Sequence, residues 1–178
     1  MPATRLLFPV YPACARLKKD IFMTQTATDL TPSAREAIAD ALNQSVAETA
    51  VTTMLAQNFH WNVTGMAFGP LHDLFQKIYE DHFVAQDDLA ERVKALNAHA
   101  EGTLAGMIKR SKVSEYEGTA SDKEMIAAML EAQETLAATL AGCGALAADA
   151  GDTLTEDLCI ARGQTHEKFA WFLRSHLA

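Results

Sequence analysis

Apolar residues recur at helical spacing over runs too long for an ordinary globular helix. Ile38, Leu42 and Val46, then Val51, Leu55 and Phe59, hold one face of a helix to about Asn62, where Thr64-Gly65 breaks the pattern. A helix of roughly 30 residues needs partners along its whole stripe, and such helices belong to bundles. Its start lies at Thr31 or Ser33: Thr31-Pro32 is a cap followed by the residue best tolerated at the first helical position, and Ser33 with Glu36 matches a capping box. A second long helix follows Gly69-Pro70, with its stripe at Leu71, Leu74, Phe75, Ile78, Ala85, Leu89, Val93 and Leu96. A third starts near Ser121, where Glu124 completes a capping box, and carries Ile126, Met129, Leu130, Leu136 and Leu140. The turn Asp149-Ala150-Gly151-Asp152 ends it, and a fourth runs from Thr153 to about His176 through Leu154, Leu158, Ala161, Phe169 and Phe172. Residues 98–120 hold a short amphipathic piece at Leu104 to Ile108 and a loop around Tyr116 to Gly118. No strand pattern appears. The expected fold is all-α, a four-helix bundle over residues 31–178 with a short extra helix in the middle connection, and the Met and Phe residues read as core.

Composition agrees and narrows the function classes. Ala fills 32 of 178 positions against 9 Gly and 5 Pro, which favours helix. That length buries a sizeable core without disulfides or a structural metal. No stretch approaches the ~18 uninterrupted apolar residues of a membrane-spanning helix, so no membrane partner is expected. The net charge is −8; residues 1–22, with Arg5, Arg16, Lys18 and Lys19 against Asp20, hold +3, which leaves −11 for the rest. An acidic body repels nucleic acid and attracts cations. Residues 1–30 are expected to be a flexible basic extension outside the core. The short apolar run Leu6 to Val10 precedes the basic residues, the reverse of a secretory signal. Three readings stay open for this segment: a basic tail, a transit-like segment, or an upstream start with Met23 as the true first residue. Cys14, Cys143 and Cys159 form no CxxC pair, which predicts small buried thiols in a reducing compartment.

The informative polar residues cluster on the second helix. Asp87 and Glu91, at i and i+4, project to one face. With His72 at zero and about 100° per residue, Gln76 falls near 40°, Asp87 near 60° and Glu91 near 100°, beside an apolar stripe at about −60° to −140°. These side chains flank the core-facing edge. His72 and Asp87 are separated by about 22 Å of straight helix at ~1.5 Å per residue, so one ion cannot bind both within one chain. Two copies of this helix packed antiparallel about a two-fold axis bring His72 of one chain to Asp87 and Glu91 of the other, so the spacing predicts a site shared between subunits. Imidazole and carboxylate ligands suit iron, manganese or zinc. Taken alone, an i, i+4 acidic pair is more often a solvated face, and Asp87 with Arg92 suits an ion-pair cluster.

The segment His60-Trp61-Asn62-Val63-Thr64-Gly65, then Phe68, Leu71-His72, Phe75, Tyr79 and Asp87-Asp88-Leu89-Ala90-Glu91-Arg92, resembles the signature of the Dps family of mini-ferritins. The resemblance covers residues 31–178, including the short middle helix and a late Trp171. Ordinary ferritins carry E-x-x-H motifs inside the bundle, and the chain has none. The resemblance implies a ferritin-like bundle, twelve copies of which form a hollow shell. It implies a ferroxidase centre at the two-fold interface, with His60 and His72 from one chain and Asp87 and Glu91 from its neighbour. It further implies oxidation of Fe²⁺, preferentially by hydrogen peroxide, with ferric iron stored inside, in the bacterial cytoplasm. Trp61 resembles the family tryptophan that takes up stray oxidising equivalents; interface packing is the plainer role. One departure stands out. The family usually has a carboxylate where this chain has Gln76, and a neutral amide binds a hard cation more weakly. Asp73, Glu80 and Asp88 are the candidate carboxylates for partial compensation, though Asp73 and Asp88 point elsewhere on the wheel.

Asp149, Asp152, Glu156 and Asp157 are candidates for the walls of three-fold pores through which Fe²⁺ enters such shells; first-turn acids favoured by the helix dipole are the alternative. A competing function is DNA compaction, for which only residues 1–22 supply a basic tail, and another is a sequestering shell with a weakened centre. No partner spacing is visible for His82, His99, His166 and His176.

Overall fold

The computed structural model describes residues 29–178; the basic segment 1–22, with Cys14 and Met23, lies outside the described residues. Five helices follow in order: α1 (Pro32–Asn62), α2 (Phe68–Ala95), α3 (Leu104–Arg110), α4 (Asp122–Ala150) and α5 (Thr153–Leu177). Their ends follow from local chemistry. Thr31 caps α1, its hydroxyl accepting from the Ala34 N–H at 3.2 Å. Ser33 already lies inside the helix, so the alternative box with Glu36 does not form. α2 starts at Phe68, which places Pro70 in the first turn, where its missing N–H leaves no bond unmade. Ser121 and Glu124 form the capping box of α4 in both directions. That helix ends at Gly151, whose φ of 77° lies in the left-handed region that glycine tolerates.

Two apolar clusters fix the topology. One joins Phe59 of α1 and Leu71 and Phe75 of α2 to Met125 and Met129 of α4 and Leu173 of α5. The other joins Leu42 and Val46 to Leu89 and Val93, Leu140 and Cys159. The start of α2 therefore meets the start of α4, and the end of α2 meets the end of α4. α2 and α4 run parallel, and each forms an antiparallel hairpin with α1 or α5. The chain between α2 and α4 must then span the bundle, and it carries α3. It is fastened to α1 by the Asn43 amide, which donates to the His99 carbonyl and accepts from the Glu101 N–H, and by Gln44, which donates to the Arg110 carbonyl. The expectation that Met and Phe are core holds for Phe59, Phe75, Met125 and Met129, while Met54, Met66, Phe68 and Phe83 are exposed.

A polar layer separates the two clusters. His82, Gln133 and His166 are all fully buried. His82 Nδ1 donates to Asp81 (3.2 Å), the Gln133 amide donates to His82 Nε2 (3.1 Å), and His166 Nδ1 donates to Gln133 Oε1 (2.8 Å). Arg162 pairs with Asp81 at the edge of this chain. Burial pushes the His82 imidazole below its ordinary range although Asp81 opposes the shift. Burial, then His82 and Arg162, push His166 down to about 2. Neither histidine showed a partner spacing in the sequence, because Gln133, which joins the two rings, lies on α4.

Arg92 is the second buried tie. Its guanidinium reaches Asp152 Oδ1 and Thr155 Oγ1, both at 2.7 Å. Burial raises the Asp152 carboxyl, but bonds from Thr155 and Arg92 outweigh it and hold the group below the usual range. Arg92→Met leaves that carboxylate buried without its counter-charge, an expected loss of about 3 kcal/mol in denaturant unfolding. The buried imidazoles predict a pH dependence of defined sign. His166 stays neutral when folded and titrates near 6.5 when unfolded, so unfolding takes up a proton and stability falls as pH drops below that value. From pH 6.5 to 5 this ring alone is expected to remove about 1.5 kcal/mol. Unfolding curves across that range check the slope, which His166→Phe is expected to flatten.

Candidate metal centre

α1 delivers His60 in its last turn and α2 delivers His72 in its second, and the 63–67 connection folds one against the other. His60 Nδ1 donates to the His72 carbonyl and His72 Nδ1 donates to the His60 carbonyl, each at 2.9 Å. The second bond uses a carbonyl at the end of α1, where helical carbonyls lack backbone donors. The rings stack with centroids 3.7 Å apart. Tyr79 meets His60 edge-on at 5.3 Å, and the Phe68 ring lies 5.1 Å from His72. With Nδ1 donating, the neutral form of each ring carries its lone pair on Nε2, the form a metal ligand needs. Packing and two hydrogen bonds thus orient a pair of imidazoles before any ion arrives.

Asp87 and Glu91 sit elsewhere on α2, both exposed. Among the described residues, no group of three or more His, Cys, Asp and Glu side chains lies together so as to hold a metal. His60 and His72 are brought together; the acidic pair is not brought to them within one chain. Gln76 donates from its amide nitrogen to Glu80 Oε1 at 2.7 Å, which brings Glu80 beside the amide and leaves the Gln76 oxygen as the atom for a hard cation. Arg92 turns inward to Asp152 instead of forming a surface cluster with Asp87.

Two neighbours of this face were missed in the sequence. Phe83 and Val84 are 72% and 60% exposed, and with Gln86, Asp87 and Ala90 they line a shallow groove. On the wheel they fall near 20° and 120°, among the polar candidates and off the apolar stripe. That displacement was the available signal, since large apolar side chains left outside mark a surface made for contact. Trp61 is also exposed, at 65%, next in sequence to His60.

The candidate pore acids divide. Asp149 and Asp157 are exposed and Glu156 is half-buried. Asp152 is a correction: at 1% exposure it caps α5 by accepting from the Thr155 N–H and pairs with Arg92, so its carboxylate is not a surface charge.

The family model of the ferritin-like domain matches residues 39–178. The chain is 32% identical over 142 residues to general stress protein 20U of Bacillus subtilis, spanning 80% of this chain and 98% of that one. It is equally identical, at 32% over 145 residues, to the DNA protection during starvation protein of Brevibacillus brevis, covering 82% and 97%. The chain belongs to the ferritin-like family, in its Dps branch. A solved Dps protein from Bacillus brevis superposes with a TM-score of 0.81 at 31% identity, over 84% of this chain and all of that one. The Dps protein of Vibrio cholerae, described as one of the ferritin-like diiron-carboxylate proteins, does so at 0.81 and 27% identity, over 88% and 98%. Dps membership fits a bundle with no interior acidic cluster among its described residues and a histidine pair at one end.

The histidine clamp has a direct spectroscopic consequence. With both rings in the neutral form, nitrogen-detected NMR of the metal-free protein is expected to show the proton on Nδ1 rather than Nε2 in both His60 and His72. In His72→Ala the His60 ring is expected to lose its single tautomer.

Proposed function

We propose that this Dps-branch protein oxidises Fe²⁺, preferentially with hydrogen peroxide, at sites shared between two subunits, and stores the ferric product inside a twelve-subunit shell in the bacterial cytoplasm. The observation that carries the reading is the reciprocal bond between His60 and His72, which presents two free Nε2 atoms at one end of α2. The far part of the same helix edge carries Asp87 and Glu91 beside exposed Phe83 and Val84. An antiparallel partner helix joins the two halves while covering that apolar surface. The ligand set is then His60, His72 and the Gln76 oxygen from one chain, with Asp87 and Glu91 from the next. Imidazoles and carboxylates together accept both ferrous and ferric iron.

In the reaction two Fe²⁺ substrate ions each lose one electron, and one peroxide gains both, splits its O–O bond and leaves as water after taking up two protons. Consuming both reagents together suppresses hydroxyl-radical formation, which protects DNA without touching it. This matches the acidic body of the chain, which repels nucleic acid. Trp61, exposed and next in sequence to His60, takes up oxidising equivalents that escape in this reading. Asp149, Glu156 and Asp157 supply negative charge for an entry pore. Gln76, in place of a carboxylate, removes one negative charge from the site and leaves it with a weakened second position for iron.

Anaerobic Fe²⁺ loading followed by a peroxide pulse tests this, with ferric absorbance and radical yield as readouts. Wild type is expected to oxidise iron rapidly with little radical. Asp87→Ala is expected to lose about 10–100-fold in rate, and Gln76→Glu to bind Fe²⁺ more tightly. A wild-type rate no greater than that of buffer overturns the reading.

A further inference from the structure

Cys143 of α4 and Cys159 of α5 are free, buried thiols remote in sequence from the histidine pair. They meet where the two helices approach closely. A Cβ added at Gly144 would stand 3.3 Å from the Cys159 Cβ, so the glycine beside Cys143 is what lets the helices close on each other. Both lie in one buried apolar cluster, close enough for each to shift the other's ionisation. Cys159 also lines a groove of about 350 Å³ between α4 and α5, which small residues such as Ala141, Gly144 and Gly163 help to line. Those small residues leave room for a peroxide-sized molecule beside Cys159.

We propose that Cys143 and Cys159 form a dithiol that reduces hydrogen peroxide and closes to a disulfide between α4 and α5. The Cys159 sulfur attacks one peroxide oxygen and the O–O bond breaks. The departing hydroxide takes the thiol proton and leaves as water, giving a sulfenic acid on Cys159. The Cys143 sulfur then attacks the Cys159 sulfur. The S–S bond forms, the S–O bond breaks, and the second hydroxide leaves as water with the Cys143 proton. One peroxide gains two electrons, the two thiols lose them, and no iron takes part. The assignment of roles follows the environment. Cys159 lines the groove, whereas Cys143 does not. Cys159 is therefore the attacking sulfur and Cys143 the resolving one.

The test uses the assembled full-length protein carrying Cys14→Ser and stripped of iron by a chelator, so its result is separate from iron oxidation. After hydrogen peroxide, digestion without reductant and mass spectrometry are expected to find the Cys143 and Cys159 peptides linked. About one peroxide per chain is consumed, and dithiothreitol reverses the link. Cys143→Ser is expected to abolish the link and leave a sulfenic acid on Cys159 that dimedone traps. Gly163→Leu, which fills the groove without replacing either thiol, is expected to slow the reaction in the folded protein and not in guanidinium. Should Cys143→Ser fail to assemble, the peptide map of the protein with both thiols decides alone. The proposal is overturned if both thiols stay reduced in folded protein under excess peroxide, or if Cys159 passes to sulfinic acid with no link to Cys143. An unchanged rate in Gly163→Leu overturns the groove as the route.

Discussion

α2 is a single uninterrupted rod from Phe68 to Ala95, and its stiffness governs what the molecule can do. His72 and Gln76 sit near its start and Asp87 and Glu91 near its end, separated by about 22 Å that no side chain can bridge. The same rod presents His82 to the core and turns Arg92 inward to Asp152. An ion that needs both the imidazoles and the carboxylates must therefore draw on two copies of the rod. The exposed Phe83 and Val84 lie between the two groups of proposed ligands, so such a pairing would bury the surface between them.

The bundle behind this rod is held by apolar clusters at its two ends and by polar ties between and beside them. His82, Gln133 and His166 join α2, α4 and α5 through side chains that are all satisfied except at His166 Nε2, which has no protein partner. Arg92, Asp152 and Thr155 do the same for α2 and the start of α5. Such groups are costly when a partner is lost and specify which helix faces which when all are present. The peptide link between α4 and α5 at Gly151 and the close contact at Gly144 then set the spacing that brings Cys143 to Cys159.

Much of the fold was legible because it rests on local rules. The period of Ile38 to Phe59, the Ser121–Glu124 box and the Gly151 turn are each decided within a few residues, and each stands in the structure. Of the two caps offered for α1, Thr31 is the one used. α2 began at Phe68, ahead of the start expected after Gly69-Pro70, because a proline in a first turn does not delay a helix. The site was half legible. His60 and His72 could be singled out by motif, but their exchange of carbonyl bonds depends on how two helices cross. Asp152 misled for the same reason: a first-turn acid looks solvent-facing until the helix it meets supplies Arg92.

By itself the sequence determined helix type, helix length and the separation of His72 from Asp87 and Glu91 along α2, since these follow from periodicity and a fixed rise per residue. Tertiary structure alone decided the parallel course of α2 and α4, the tautomers of His60 and His72, the neutral state of His82 and His166, and the meeting of Cys143 with Cys159. Each of these depends on distances between helices, which are set by how side-chain volumes fill the space between them and not by order along the chain.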